Sequence, residues 1–306
     1  MKKITIVGSF SMDLTVTMSE FPQMGQTIIG KKVFKAPGGK GANQCIAAAR
    51  SGAKCEMIGM LGDDDDGRVI RELFVKEGVD VSHVLTSVSE PTTIALIEVN
   101  DHGQNKIIVV PAANFAYTVD DLKKVEDVIA DSDIVMAQLE MRLDVVTELA
   151  HMCARHGVDF ILNPAPAVPL EPELLNKVTY LTPNETELAI LTGMKTETVE
   201  EVKAACAKLY DLGVKHVIAT LGDKGAYLYD ETHQELVSGY EVKAVDSVAA
   251  GDAFNGAFAT ALTEGKGVIE SIRFACAVGA LAVTKPGAVP SLPLRKDTDE
   301  FIAQYK

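Results

Sequence analysis

The segment Val245-Asp246-Ser247-Val248-Ala249-Ala250-Gly251-Asp252-Ala253-Phe254-Asn255-Gly256-Ala257 puts a carboxylate beside backbone suited to an anion. Small residues at 249–251 let a turn come close to a ligand. From Ala253 to Leu262 the chain reads as an Ala-rich helix broken only by Gly256. The N–H groups exposed at a helix start suit phosphate, and Asp252 stands at that start. Taken alone, an acid there is better read as a helix cap. A second segment, Pro37-Gly38-Gly39-Lys40-Gly41-Ala42-Asn43-Gln44, sets clustered glycines ahead of a helix. It reads either as close backbone approach to a small ligand or as an ordinary turn and cap. It lacks the Ser or Thr after Gly-Lys that a Walker A loop requires, and the chain has no Gly-x-Gly-x-x-Gly fingerprint.

Other acidic and histidine-bearing stretches carry less. Asp63 to Asp66 lacks the spacing and terminal Glu of a calcium loop. It reads as a solvated loop feeding a helix N-terminus, where the helix dipole favours acids. The six His residues show no metal-type spacing.

These residues need a scaffold, and composition supplies the means. The chain has 306 residues, 47% of them hydrophobic, ample for a packed core. Its net charge of −14 and lack of a basic stripe argue against nucleic acid as a partner. There is no Trp to form a stacking platform for single strands. Anionic substrates must then be held locally, by helix ends, a metal ion or a few placed Lys or Arg. The five Cys residues (45, 55, 153, 206, 276) form no C-x-x-C pair and predict free thiols in a reducing cytoplasm. Cys45, Cys153 and Cys206 read as core fillers in Ala-rich helices. The apolar run Ile4–Val7 is too short for a signal peptide, and no stretch approaches a membrane span.

Ile4 to Gly8 reads as a buried strand ending in a turn. Helical periodicity follows over 41–51, 66–77, 119–130, 142–156, 184–192, 197–212, 252–264, 267–283 and 296–304. In the second of these, Val69, Ile70, Leu73 and Phe74 fall on one face. Short β-rich runs alternate with the helices at 134–137, 160–162, 178–181, 216–220 and 226–229. The alternation predicts an α/β fold, a mostly parallel sheet with helices on both faces. Two stretches break the rhythm, 13–34, with strands at 14–17 and 27–29, and 92–110, with strands at 92–99 and 106–110. The second pair flanks Asn100-Asp101-His102-Gly103, a hairpin-turn composition. Together they predict a small antiparallel β lid, formed by about 13–36 and 91–111 of a single domain spanning 1–306. Its open edges need cover.

The segments together resemble the ribokinase-like (PfkB) family of carbohydrate kinases, over essentially the whole chain. The resemblance rests on Gly38-Gly39-Lys40-Gly41-Ala42-Asn43-Gln44, Asn163-Pro164-Ala165-Pro166-Ala167, Pro183-Asn184-Glu185-Thr186-Glu187, Thr220-Leu221-Gly222-Asp223-Lys224-Gly225 and Ala249-Ala250-Gly251-Asp252. It implies ATP-dependent phosphorylation of D-ribose at its primary 5-hydroxyl. Asp252 would be the general base, and the N–H groups of Ala249, Ala250, Gly251 and Asp252 the anion hole for the transferring phosphoryl group. The sugar would meet Asp13, Gly39, Lys40, Asn43, Glu140 and Asp252, with Ser11 at a position where the family usually has Asn. The nucleotide would meet Asn184, Thr220, Gly222, Gly225, Gly251 and the region of Cys276. Asn184 and Glu187 match an Asn-x-x-Glu element linked to Mg²⁺, and three residues apart they share a helix face. A K⁺ site would draw on Asp246, Val248, Ala282, Lys285, Gly287 and Ser291, mostly through carbonyl oxygens that leave no side-chain pattern. A homodimer through the lid is implied as well. Ala112-Ala113-Asn114 replaces a common Gly-Ala-Asn, and with Ser11 it leaves other readings open. These are a kinase for deoxyribose, fructose or a nucleoside, a non-catalytic sugar- or nucleotide-binding protein on the same fold, and, more distantly, a nicotinamide dehydrogenase.

Overall fold

The computed structural model describes residues 2–305. Nine strands form the main sheet: β1 (Lys3–Val7), β4 (Lys54–Gly62), β5 (Val84–Ser87), β8 (Ile134–Gln138), β9 (Asp159–Asn163), β10 (Tyr180–Leu181), β11 (His216–Thr220), β12 (Gly225–Tyr229) and β13 (Gln234–Ser238). Their order is β13-β12-β11-β10-β9-β8-β1-β4-β5. All neighbours run parallel except β11–β12 and β12–β13, so one edge is an antiparallel ribbon. The helices are α1 (Lys40–Arg50), α2 (Asp65–Lys76), α3 (Ala112–Ala116), α4 (Val119–Lys123), α5 (Glu126–Ala130), α6 (Leu143–His156), α7 (Pro172–Leu175), α8 (Glu185–Thr192), α9 (Val199–Asp211), α10 (Ala250–Thr263), α11 (Val268–Ala282) and α12 (Arg295–Ala303). No helix among the described residues is long and apolar enough to cross a membrane.

Strand alternation splits the core into two layers. Ile4, Ile6, Ile134 and Met136 face α1, α2, α10 and α11 on one side of the sheet. Val7, Val135 and Ala137 face α4, α5, α6 and α9 on the other. Most of these side chains are fully buried, and each large one contributes roughly 1.5–3 kcal/mol of transfer free energy. The expected parallel sheet clothed on both faces is what forms.

The second sheet has the order β3-β2-β6-β7, from β2 (Ser11–Thr17), β3 (Lys32–Gly38), β6 (Ile94–Val99) and β7 (Asn105–Val110). Two of its pairings are antiparallel, β2–β3 and β6–β7. The central β2–β6 pair is parallel, because the two hairpin-like units enter the sheet from separate parts of the chain. Residues 27–29 form no strand: Ile29 is 91% exposed, and pairing with β2 begins only at Lys32. The turn at Asn100–Gly103 closes as its composition predicts, with Gly103 N–H bonded to Asn100 O and Asn100 N–H to Gln104 O.

Three further expectations shift. The 119–130 periodicity divides into α4 and α5 around Lys124 and Val125, where 3₁₀-type bonds interrupt the helix. Val69 lies off the buried face of α2, whose core contacts are Ile70 and Phe74. The acidic run does begin α2, and Asp64 does more than face solvent. It caps Gly67 N–H at 2.8 Å and accepts from Thr92 N–H at 2.7 Å, tying the helix to the root of β6. All five cysteines are free and buried.

Candidate active site

The strand order reverses between β1 and β8, and a crevice opens there at the carboxyl ends of the strands. Gly8 and Ser9 follow β1, and Glu140 follows β8. Asn163 ends β9, Thr182 follows β10, and Thr220 ends β11. A cleft of about 180 Å³ is lined by Lys40, Asn163, Thr182, Asn184, Glu187, Thr220, Ser247, Ala249, Gly251, Asp252 and Asn255, among others.

Helix α10 meets this cleft through an unusual start. Ala249, its N-cap, is left-handed at φ 60° and ψ 10°, a conformation that costs an Ala about 1 kcal/mol or more. First-turn amides have no intrahelical acceptor. The Ala250 N–H bonds Ser247 O at 3.3 Å, so within the expected 249–252 set the amides of Gly251 and Asp252 are better placed to serve an anion. A Cβ on Gly251 would meet no protein atom within 4 Å. Asn255 pins the turn, its Nδ2 donating to Gly251 O at 2.8 Å while its Oδ1 accepts from Thr182 Oγ1 at 2.6 Å.

Asp252 is 8% exposed. Its Oδ2 accepts from Asn43 Nδ2 at 2.9 Å and its Oδ1 from Gln44 Nε2 at 3.0 Å. Burial pushes its pKa above the ordinary carboxylate value, and Glu140 adds to the rise. Lys40, Asn43 and Gln44 pull the other way without cancelling it. Asn43 Oδ1 is buried and has no partner, an acceptor awaiting a donor.

The glycine segment brings Lys40 to the centre of this charge. Gly39, at φ 97°, caps α1, and a Cβ there would stand 2.8 Å from the Phe10 carbonyl carbon and the Ser11 nitrogen, so only Gly fits. Lys40 feels the carboxylates of Asp252, Glu140, Glu187 and Asp13; burial lowers its pKa, but the four acids outweigh that and raise it. Glu140 is tied to both the β1 end and the glycine segment. Its Oε2 accepts from Ser9 Oγ at 2.6 Å and from Lys40 N–H at 2.9 Å. Ser11 Oγ donates to Asp13 Oδ1 at 2.6 Å. Burial raises the Asp13 pKa, against the pull of Ser11 and Lys40. Asn114 holds this strand entry, accepting from Phe10 N–H at 3.1 Å and donating to Phe10 O at 2.8 Å. Nearby Ala112 sits at φ 37°, a conformation that a Gly would adopt without strain.

Asn184 and Glu187 form a reciprocal capping box at the start of α8. Asn184 Oδ1 accepts from Glu187 N–H, and Glu187 Oε2 from Asn184 N–H, both at 2.8 Å. Both also line the cleft. Burial raises the Glu187 pKa, with Asp252 adding to it, while Asn184 and Lys40 oppose.

The positions matched to a cation site converge in part. Asp246 Oδ2 accepts from Gly287 N–H at 2.9 Å and its Oδ1 from Val248 N–H at 3.0 Å. The amides of Val245 and Asp246 both bond Val283 O, beside Ala282. Lys285 N–H bonds Ala282 O at 3.3 Å, and Ser291 is fully buried, donating to Ala288 O.

The nucleotide positions fare less evenly. Thr220 and Asn184 line the cleft, whereas Gly222, Gly225 and Cys276 do not. Gly225 is explained by packing: at φ 107° it lies against the backbone of Val237–Gly239, where no Cβ fits. A Cβ on Gly222 would meet open space. Cys276, on α11, sits in the core. Sequence reasoning gave no role to Ser9, Gln44, Gln138, Asn163, Thr182 or Asn255. Gln44, Asn163 and Asn255 lie inside segments already singled out, so only their roles were unread.

Comparison with known proteins identifies the family. A family model described as pfkB family carbohydrate kinase matches residues 1–295. The chain is 40% identical over 301 residues to a ribokinase of Haemophilus influenzae, covering 98% of each chain. It is 32% identical over 302 residues to a deoxyribokinase of Salmonella typhi, again covering 98% of each. Its fold matches the structure of Arabidopsis thaliana ribokinase complexed with ribose and ATP, with a TM-score of 0.91, 36% identity and 98% of each chain covered. The chain belongs to the pfkB family of carbohydrate kinases.

Proposed function

We propose that the protein transfers the γ-phosphoryl group of ATP to the primary 5-hydroxyl of D-ribose, giving ribose 5-phosphate and ADP. One observation carries the reading most directly. A buried carboxylate with a raised pKa stands in the first turn of α10, beside a glycine amide with open space before it. Asp252 takes the proton from the attacking hydroxyl, a role that typically contributes about 10²–10⁴-fold. Its raised pKa makes it a stronger base than a solvated aspartate. The Gly251 and Asp252 amides meet the charge on the phosphoryl group.

Asp13, Gly39, Lys40, Asn43 and Glu140 hold the sugar. The orphaned Asn43 Oδ1 is an acceptor that a sugar hydroxyl satisfies. Ser11 acts through Asp13, since its hydroxyl is already given to that carboxylate. Asn184, Thr220 and the open side of Gly222 receive the nucleotide, with the Cys276 region behind them.

Mg²⁺ fits Glu187 and Asn184. One Glu187 oxygen is spent on the cap, and burial raises its pKa against the pull of Asn184 and Lys40, so a bound cation would stabilise its charge. No cluster of three acidic, His or Cys ligands exists among the described residues, so the ion would rely on water and phosphate oxygens, as Mg²⁺ commonly does. When bound it would neutralise phosphate charge. K⁺ fits the oxygen-rich meeting of residues 246–248 with 282–287 that Asp246 fastens; equal turnover in Na⁺ and K⁺ would contradict this.

Residues 1–306 act as one kinase unit. The lid sheet leaves Ile107, Ile108, Val109 and Val110 about half exposed along its edge strand β7, with Val33 and Phe34 open on β3. A homodimer through these lids would cover them, and a monomer by light scattering at micromolar concentration would count against it. The five unpaired thiols suit a cytoplasmic setting.

The test is sugar-dependent ADP release with Mg-ATP and K⁺ across ribose, deoxyribose, fructose and nucleosides. Ribose should give the highest kcat/KM. The deoxyribokinase relative makes deoxyribose the second reading, and a preference for it would move the assignment. No sugar-dependent release on any substrate would refute a kinase.

A further inference from the structure

Behind Asp252 lies a buried chain of amides. Gln138 Nε2 donates to Gln44 Oε1 at 2.7 Å. Gln44 Nε2 then donates both hydrogens, to Asn163 Oδ1 and to Asp252 Oδ1, each at 3.0 Å. Asn163 Nδ2 donates onward to Thr182 O at 3.0 Å. Gln44 and Gln138 are 0% and 1% exposed, so water cannot substitute for these bonds. The polarity has one solution. Turning the Gln44 amide over would set its oxygen against two acceptor oxygens and its nitrogen against the Gln138 donor. The chain starts at the strand-order reversal between β1 and β8. Gln138 Oε1 there is pressed against Gly8 and has no partner, and a Cβ on Gly8 would clash with it. Neither Gln44 nor Gln138 lines the cleft, and Gln44 Nε2 is aimed at the proposed base.

We propose that Gln44 is a positioning residue for Asp252, held by Gln138. It fixes Oδ1 while Asn43 Nδ2 donates to Oδ2, and so sets the orientation of the carboxylate. This rests on the reading of Asp252 as general base. The charged groups facing Asp252 are Lys40 of α1, Glu140 after β8, and Glu187 of α8, with Asp13 of β2 across Lys40. None of these groups hydrogen-bonds Gln44 or Gln138, whose side-chain partners are Asn163, Asp252 and each other.

The experiment compares Gln44→Met, Gln138→Met, the double variant and Asp252→Asn. A hydrogen bond to a charged group implies that Gln44→Met lowers kcat by about 10–100-fold, with KM values for sugar and ATP roughly unchanged. Losing a donor to the carboxylate also moves the acid limb of kcat/KM to higher pH. Gln138→Met should shift the limb in the same direction by less, and the double variant should be no worse than Gln44→Met. An unmoved acid limb, or losses that simply add, would overturn the proposal. If Gln44→Met does not fold, the limb of Gln138→Met decides alone, a shift supporting the proposal and a wild-type limb refuting it. Retained turnover in Asp252→Asn would sink the base assignment itself. Lost turnover there, with a wild-type limb in Gln44→Met, would sink only the positioning role.

Discussion

Asp252, in the first turn of α10, and Asp230, in the turn between β12 and β13, are both buried aspartates, 8% and 3% exposed. Burial raises the pKa of each. At Asp230 it is outweighed, and the pKa falls to about 2. The Thr232 and His233 amides each donate to Oδ1 at 2.7 Å, the Thr232 hydroxyl at 3.0 Å, and His216 Nδ1 lies 3.0 Å from Oδ2. At Asp252 two side-chain amides and the field of Lys40 fail to cancel burial, and the pKa stays raised. The difference lies in the donors. A hairpin turn surrounds Asp230 with backbone N–H groups, whereas only the side-chain amides of Asn43 and Gln44 donate to the Asp252 carboxylate. One carboxylate is saturated and structural, and the other, under the proposed function, takes the substrate proton.

Exchanging the two residues' fates would break that comparison. Asp252→Asn should cut turnover by at least about 100-fold while leaving sugar binding near wild type; Asp230→Asn should leave turnover unchanged. An Asp252→Asn enzyme of near-normal turnover would erase the distinction. Next in size is stability. The folded pKa of Asp230 lies below its unfolded value, so its contribution is present above about 4 and vanishes as pH falls through about 2. Urea unfolding near neutral pH should show Asp230→Asn less stable by about 2 kcal/mol, and the deficit should shrink in acid. A deficit independent of pH would contradict this. Smallest is Thr232→Val, which removes the hydroxyl that bonds Asp230 Oδ1 and lies 2.8 Å from His233 Nδ1 and should cost about 0.5–1.5 kcal/mol with no change in turnover.

Much of this contrast was unevenly legible in the sequence. The parallel sheet and both helical layers follow from the alternation of periodic segments. β4 went unread, because Lys54–Gly62 mixes Met, Glu and Gly and has little β-branched content. The central lid pairing could not be read either, since parallel partnership joins segments far apart in the chain. At the site, Asp252 stood at a helix start beside small residues, while the roles of Lys40 and Glu187 came from the resemblance to the family. Ser9 did not, as a lone serine after a strand says nothing of the Glu140 it holds. Gln44 and Gln138 were silent for a similar reason: an amide network exists only once 94 residues of separation have been closed. Gly225 misled because a glycine required by a neighbouring strand looks the same in sequence as one required by a ligand.

The central claim is that burial keeps Asp252 a stronger base than a solvated aspartate. The pH dependence of kcat/KM for the sugar tests it most directly. The account predicts an acid limb above the ordinary aspartate value of 3.8, falling as pH drops through the raised pKa, and absent from the residual activity of Asp252→Asn. A limb at or below 3.8, or the same limb surviving in Asp252→Asn, would contradict it.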